Sequence, residues 1–126
     1  MAARYVRKKL VEFDGISIVI GSLSVDEVEE KIANAPVHDS ETPEGRQAVE
    51  HAVYDLVCTS LMNAQPNEVW AFRKSPEETL PEGANILTAE FDSAAIYRLQ
   101  TEIYRLCGLA LVSEGEVSAA APAAAA

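Results

Sequence analysis

The sequence predicts an α+β fold: an N-terminal β-hairpin packed on a mainly helical body of about three helices, with a disordered Ala-rich C-terminal tail. Three observations carry this expectation. Asp14-Gly15 separates two apolar runs, a strong short-range hairpin signal, because a two-residue type I′ turn needs positive φ at both positions. Three later segments carry apolar residues at helical spacing. From Ser113 the composition collapses into Ser, Glu, Gly and then almost pure Ala. Residues 1–112 are therefore expected to form one domain and 113–126 a low-complexity tail.

In the hairpin register, Phe13 faces Ile16 and Val11 faces Ile18 on one side of the ribbon. Leu10 pairs with Val19 on the other side, where Glu12 opposes Ser17. Ser24-Val25-Asp26-Glu27 then reads as a capping box. The Ser24 side chain accepts from the Glu27 N–H and Glu27 reaches back to Ser24. Leu23 and Val28 hold the positions of a hydrophobic staple. Helix one should run from about Val25 to Asn34, with Val25, Val28 and Ile32 on one face and Pro36 beyond its end. Residues 36–42 form a polar connection.

Helix two is the most sharply marked. Thr42 caps it, Pro43 takes the first helical position, where a missing N–H costs nothing, and Glu44 lies in the positive first turn. Val49, Ala52, Val53, Leu56, Val57, Ser60 and Leu61 form a wide stripe, with Glu50, Tyr54 and Asp55 outside it. The helix should stop near Asn63, before Pro66. Residues 64–88 are rich in Pro, Gly, Asn and Glu, and a connection of that length is uncommon unless it is functional or mobile. Val69 to Phe72 reads as a short strand, and Ser75-Pro76-Glu77-Glu78 repeats the capping pattern, so one helical turn is expected there. Helix three runs from about Ala89 or Ser93 to Cys107, burying Ile96, Leu99, Ile103, Leu106 and Cys107. Gly108 is its left-handed cap, and 109–112 should pack onto the body.

Twenty acids against 10 bases give a net charge of −10. Four of the bases, Arg4, Arg7, Lys8 and Lys9, lie in the first ten residues, so residues 11–126 hold 6 bases and 20 acids, a balance of −14. Such a surface repels phosphate backbones, which argues against a nucleic-acid partner, and it favours solubility and basic partners. No apolar run reaches the length of a membrane span, so no membrane partner is expected, and the basic N-terminus lacks the apolar stretch and cleavage site of a signal peptide. Two cysteines, Cys58 and Cys107, are too few for a disulfide framework and suit a reducing compartment.

Chemistry-bearing patterns are sparse. His51 and Cys58 are seven apart and share a helix face, and with His38 and Cys107 they could supply four metal ligands. Zinc sites are usually marked by close ligand pairs, and none occurs, so no metal and no cofactor is expected. A nucleophilic cysteine needs a neighbouring base and an electropositive setting, whereas Cys107 ends an apolar stripe at a helix C-terminus, which raises a thiol pKa. Glu29-Glu30 and Glu77-Glu78 are sequence neighbours that diverge on a helix. No glycine-bracketed serine, phosphate loop or dinucleotide fingerprint occurs. No catalytic residue is assigned and an enzyme is not expected. The candidate partner-binding residues are aromatic: Trp70 and Phe72 in the long connection, and Tyr97 and Tyr104 flanking the stripe of helix three. For Trp70 and Phe72 the alternative is a strand packed over the core.

The order of these features resembles the tail assembly chaperones of long-tailed bacteriophages and prophages. The resemblance is carried by Phe13-Asp14-Gly15-Ile16-Ser17-Ile18, then Gly21-Ser22-Leu23-Ser24-Val25-Asp26-Glu27. The helix end Val57-Cys58-Thr59-Ser60-Leu61-Met62-Asn63-Ala64 follows, and the run from Ile96 through Tyr104-Arg105-Leu106-Cys107-Gly108-Leu109 closes it. It spans roughly residues 5–112, and neither the Arg4–Lys9 cluster nor the length of the 64–88 connection maps onto it. It implies a small α+β protein in the cytoplasm of a bacterial host. Such a protein self-associates and holds the tape measure protein while the tail tube polymerises, with the tail tube protein as a further partner. It also implies a longer product made by programmed frameshifting near the end of this reading frame. Rival readings are a structural or head-tail connector subunit, an acidic inhibitor or antitoxin-like protein that masks a basic partner, and, third, an enzyme.

Overall fold

The computed structural model describes residues 5–33 and 41–109. Arg4, His38, the end of helix one at Asn34 and Pro36, the first residues of the 36–42 connection, and everything from residue 110 onward, including the tail, lie outside the described residues.

The chain opens with the antiparallel hairpin β1 (Lys8–Phe13) and β2 (Ile16–Gly21). Phe13 pairs with Ile16, Glu12 with Ser17, Val11 with Ile18 and Leu10 with Val19, the register read from the alternation. The turn places Asp14 at φ 32° and Gly15 at φ 88°. Asp tolerates that region because its short polar side chain can bond locally, and Gly has no Cβ to clash. On the inner face Val11 and Ile20 are buried, with Phe13 and Ile18 packed beside them. Ile16 belongs to the same row but is exposed, because it sits at the turn end of the ribbon.

The capping box at Ser24 forms as expected: Glu27 N donates to Ser24 Oγ at 3.2 Å and Ser24 N donates to Glu27 Oε1 at 2.9 Å. It starts α1 (Val25–Val28), which widens into a π-helical turn at Glu29–Ala33. Leu23, Val28 and Ile32 join the core, but Val25 is 75% exposed, which corrects the expected face. A π turn advances fewer degrees per residue, so the stripe from Val28 to Ile32 does not extend back to Val25.

The long helix α2 (Pro43–Ala64) begins where Gly45 N donates to Thr42 Oγ1 at 3.0 Å. Val53, Leu56, Val57, Cys58, Ser60, Leu61 and Ala64 are buried. Val49 and Ala52, expected in the stripe, are exposed, since the first turns of α2 reach beyond the elements that cover the rest. Tyr54, expected outside it, packs against the core under an aromatic neighbour.

After α2 the strand expected at Val69 to Phe72 appears as β3 (Trp70–Ala71). It pairs in parallel with β4 (Asn85–Ile86), so the two ends of the 64–88 connection are stitched together. The Ser75 segment forms a tight turn closed by Glu78 N on Ser75 O, not a helical turn. The Glu78 carboxylate accepts from Lys74 N at 2.6 Å instead of reaching the Ser75 N–H, so the capping box is not completed. Next come a single turn α3 (Leu87–Glu90) and the amphipathic helix α4 (Ser93–Leu106). Asp92 caps α4 by accepting from Ala95 N at 2.9 Å. Ile96, Leu99 and Ile103 are buried, whereas Leu106 and Cys107 are half-buried at its end. Gly108 N bonds Arg105 O and Leu109 N bonds Tyr104 O, with Gly108 at φ 76°, which is a Schellman cap. Among the described residues no helix is long and apolar enough to cross a membrane.

One core joins these elements: the inner face of the hairpin, the last three turns of α2, Leu87 and the buried face of α4. Leu56 lies in it at 3% exposure. Leu56→Ala should cost about 2–5 kcal/mol as a core cavity. Chemical denaturation reads this directly, and a variant as stable as wild type would mean α2 presents another face.

Candidate interaction surface

The four aromatic candidates fall into different environments. Trp70 stacks on Phe91 with ring centroids 5.9 Å apart, and Phe91 in turn meets Phe13 at 6.1 Å. Phe72 is buried, with His51 at 5.3 Å and Tyr54 edge-on at 5.4 Å. Phe72 is therefore packed as a core residue in this structure, the strand alternative weighed for it. Trp70 keeps a half-buried ring that lines a shallow cleft of about 200 Å³ with Cys58, Met62, Lys74 and Leu80. Tyr97 is 52% exposed and shares a small recess with Glu50, Tyr54 and Ser93. Tyr104 packs against the core. The structure thus brings Tyr97 and Phe72 each beside Tyr54, and Trp70 and Phe72 to the lining of one cleft. The accessible candidates are Tyr97 and the outer edge of Trp70.

Sequence reasoning missed Phe91, although a signal was present. Phe91 precedes the cap Asp92 and Ile96 follows four positions after it, which is the hydrophobic staple spacing. It also missed the role of the N-terminal basic cluster. Lys9 Nζ donates to Glu102 Oε1 at 2.6 Å, Arg7 Nη2 to Leu106 O at 2.8 Å and Arg98 Nη1 to Glu12 O at 2.8 Å. Arg98 also lies 4.8 Å from the Phe13 ring, a cation–π contact. These contacts strap β1 along α4. The Lys9 hydrogen bond, then the fields of Lys9, Arg105 and Arg98, hold the Glu102 carboxyl below its ordinary range against the opposing effect of burial.

Elsewhere the electrostatics are those of packing. Burial, then the charge of Asp55, pushes the Cys58 thiol up to about 12, so it stays protonated at neutral pH. Burial works against the Lys31 charge, but its hydrogen bond to Asp55 at 2.7 Å and the fields of Asp55, Glu30 and Glu27 outweigh this and raise its pKa. Burial, with Glu50 and Tyr97 nearby, raises Tyr54. Among the described residues, no three His, Cys, Asp or Glu side chains gather into a group that could hold a metal ion.

Three of the four stretches on which the resemblance rests meet at one junction. Gly21 N donates to Ser60 Oγ at 3.1 Å, and Ser60 Oγ donates to Gly21 O at 2.7 Å. Asn63 Nδ2 donates to Ser22 O and to Glu27 Oε1, and Leu23 N donates to Cys107 Sγ at 3.3 Å. A Cβ on Gly21 would stand 2.8 Å from Ala64 N, 2.9 Å from Val6 Cγ1 and 3.1 Å from Ser60 O. Glycine is required there by the approach of two backbones.

A scan of protein-family models, a search of curated proteins and a search of solved structures each found no match to this chain.

Two outcomes follow from this geometry. Gly21→Ala should destabilise by about 1–3 kcal/mol, as an overpacked site whose nearest neighbour is helix backbone, read as a lowered thermal midpoint. Glu102 has a depressed pKa, so its contribution is present above the ordinary glutamate value and is lost as pH falls through the folded one. Glu102→Gln should lower stability at neutral pH by less than about 1 kcal/mol, given the exposed Lys9 partner, and the difference should vanish as pH falls below the folded value. Urea midpoints across that range check the sign.

Proposed function

We propose that this chain is a non-enzymatic tail assembly chaperone of a long-tailed phage or prophage. It acts in the cytoplasm of the bacterial host, self-associates, and holds the tape measure protein while the tail tube assembles. The observation that carries this reading is the junction described above. The resemblance rests on residues 13–18, 21–27, 57–64 and 96–109, and the second of these stretches bonds to the third through Ser60 and Asn63 and to the fourth through Cys107. Residues that form one tertiary joint are a coherent signature of a fold, which supports reading the resemblance as a shared architecture. The step from architecture to activity is an analogy between folds.

The surface is compatible with holding a client. Tyr5, Leu10, Ile16, Val25, Val69 and Tyr97 are among the exposed large apolar residues, spread along the chain from its N-terminal segment to α4. One copy therefore offers only scattered apolar contact, and self-association is the route to a larger continuous one. The acidic balance keeps such an assembly soluble.

Co-expression with a candidate tape measure protein should keep that protein soluble and recover it in a pull-down without added cofactor. Mass spectrometry of finished particles should not find this chain. Its presence there at stoichiometric copy number would make it a structural subunit instead.

A further inference from the structure

The outer edge of β1 is complementary to itself. A two-residue turn makes Phe13 and Ile16 a hydrogen-bonded pair, so bonded pairs recur at Val11–Ile18 and Lys9–Ile20. The alternation continues to Arg7, whose carbonyl accepts from Ser22 N at 2.8 Å. The residues between, Lys8, Leu10 and Glu12 on β1 and Ser17, Val19 and Gly21 on β2, therefore turn their main-chain groups away from the hairpin partner. On β2 the Gly21 groups are taken by Ser60. On β1 the Glu12 carbonyl is met by Arg98, while Leu10 is 54% exposed between exposed Lys8 and Glu12.

We propose that β1 pairs antiparallel with β1 of a second copy across a two-fold axis centred on Leu10. The two hairpins then form one sheet in the order β2-β1-β1-β2. In this register Leu10 lies opposite Leu10 of the second copy, and Lys8 lies opposite Glu12 on either side of it. The two opposite-charge pairs flank an apolar contact that covers both leucines. The neighbouring registers are worse. Centring on Lys9 sets like charges face to face, and centring on Val11 sets Leu10 against Glu12 and runs Lys8 into the turn. Arg7 and Lys9 are committed to the Leu106 carbonyl and to Glu102, which leaves Lys8 as the charge available at the edge. A carbonyl oxygen has two lone pairs, so Arg98 and a ladder N–H can share the Glu12 oxygen. The interface is isologous and closes at two copies, so it gives a defined assembly and not an open fibre. It deepens the self-association in the proposed function but rests on the chemistry of one strand, not on the client.

The test is sedimentation of the full chain at tens of micromolar, on the order of the affinity such a pairing gives. It is run for wild type, Lys8→Glu, Glu12→Lys and the double charge swap, with circular dichroism confirming that each variant folds. The wild type should be dimeric. Each single reversal should weaken the dimer about tenfold or more, and the double swap should restore it to within about threefold. A monomeric wild type, single reversals that leave association unchanged, or a double swap that fails to recover it would each overturn the pairing. A monomer that still holds the tape measure protein would overturn it while leaving the chaperone reading in place.

Discussion

The approach of the Gly21 backbone to the backbone of α2 at Ser60 and Ala64 is the contact on which the remaining geometry depends. A strand end and a helix touch there with no side chain between them, and the Ser60 hydroxyl satisfies both main-chain groups of Gly21. Without that hydroxyl, a donor and an acceptor would be buried unpaired, at a cost of about 1–3 kcal/mol each. Once Gly21 is fixed, Ser22 and Leu23 follow. Their main-chain groups are met by Asn63 and Cys107, so α1 starts against the C-terminal ends of both α2 and α4. Three chain segments are located by one glycine and one serine.

A second set of contacts runs down the other side of the hairpin. Arg7, Lys9 and Arg98 bond to main-chain or carboxylate oxygens across β1 and α4. Exposed charged contacts contribute little each, but these three, one ion pair and two hydrogen bonds to main-chain carbonyls, are spaced along the strand and fix its direction over the helix. They also explain how a cluster of bases coexists with a strongly acidic remainder. Two of its charges, Arg7 and Lys9, serve the fold.

The aromatic residues divide between these two frames. Phe72, Tyr54 and His51 close the outer side of α2, while Trp70, Phe91 and Phe13 close the gap between the long connection and the hairpin. What remains for recognition is modest: the outer edge of Trp70, the ring of Tyr97 and isolated aliphatic residues.

Much of the fold was legible in the chain because it depends on local physics. The hairpin register, the capping box at Ser24, the Thr42-Pro43 start of α2 and the Gly108 stop are decided within a few residues of each other. The buried stripe of α4 follows from spacing alone. Local rules misplaced Val25, Val49 and Ala52, because periodicity defines a face but not which part of it another element covers. They also placed Phe72 as a candidate contact, since a loop aromatic and a core aromatic look alike until His51 and Tyr54 are seen over the ring. The parallel pairing of Trp70–Ala71 with Asn85–Ile86 and the reach of Arg7 to Leu106 leave no local trace. By itself the sequence determined the hairpin and its register, the starts of the first two helices and the stop of the last. The tertiary structure alone decided which polar groups meet across long separations, because a hydrogen bond between residues dozens of positions apart is set by packing and not by spacing.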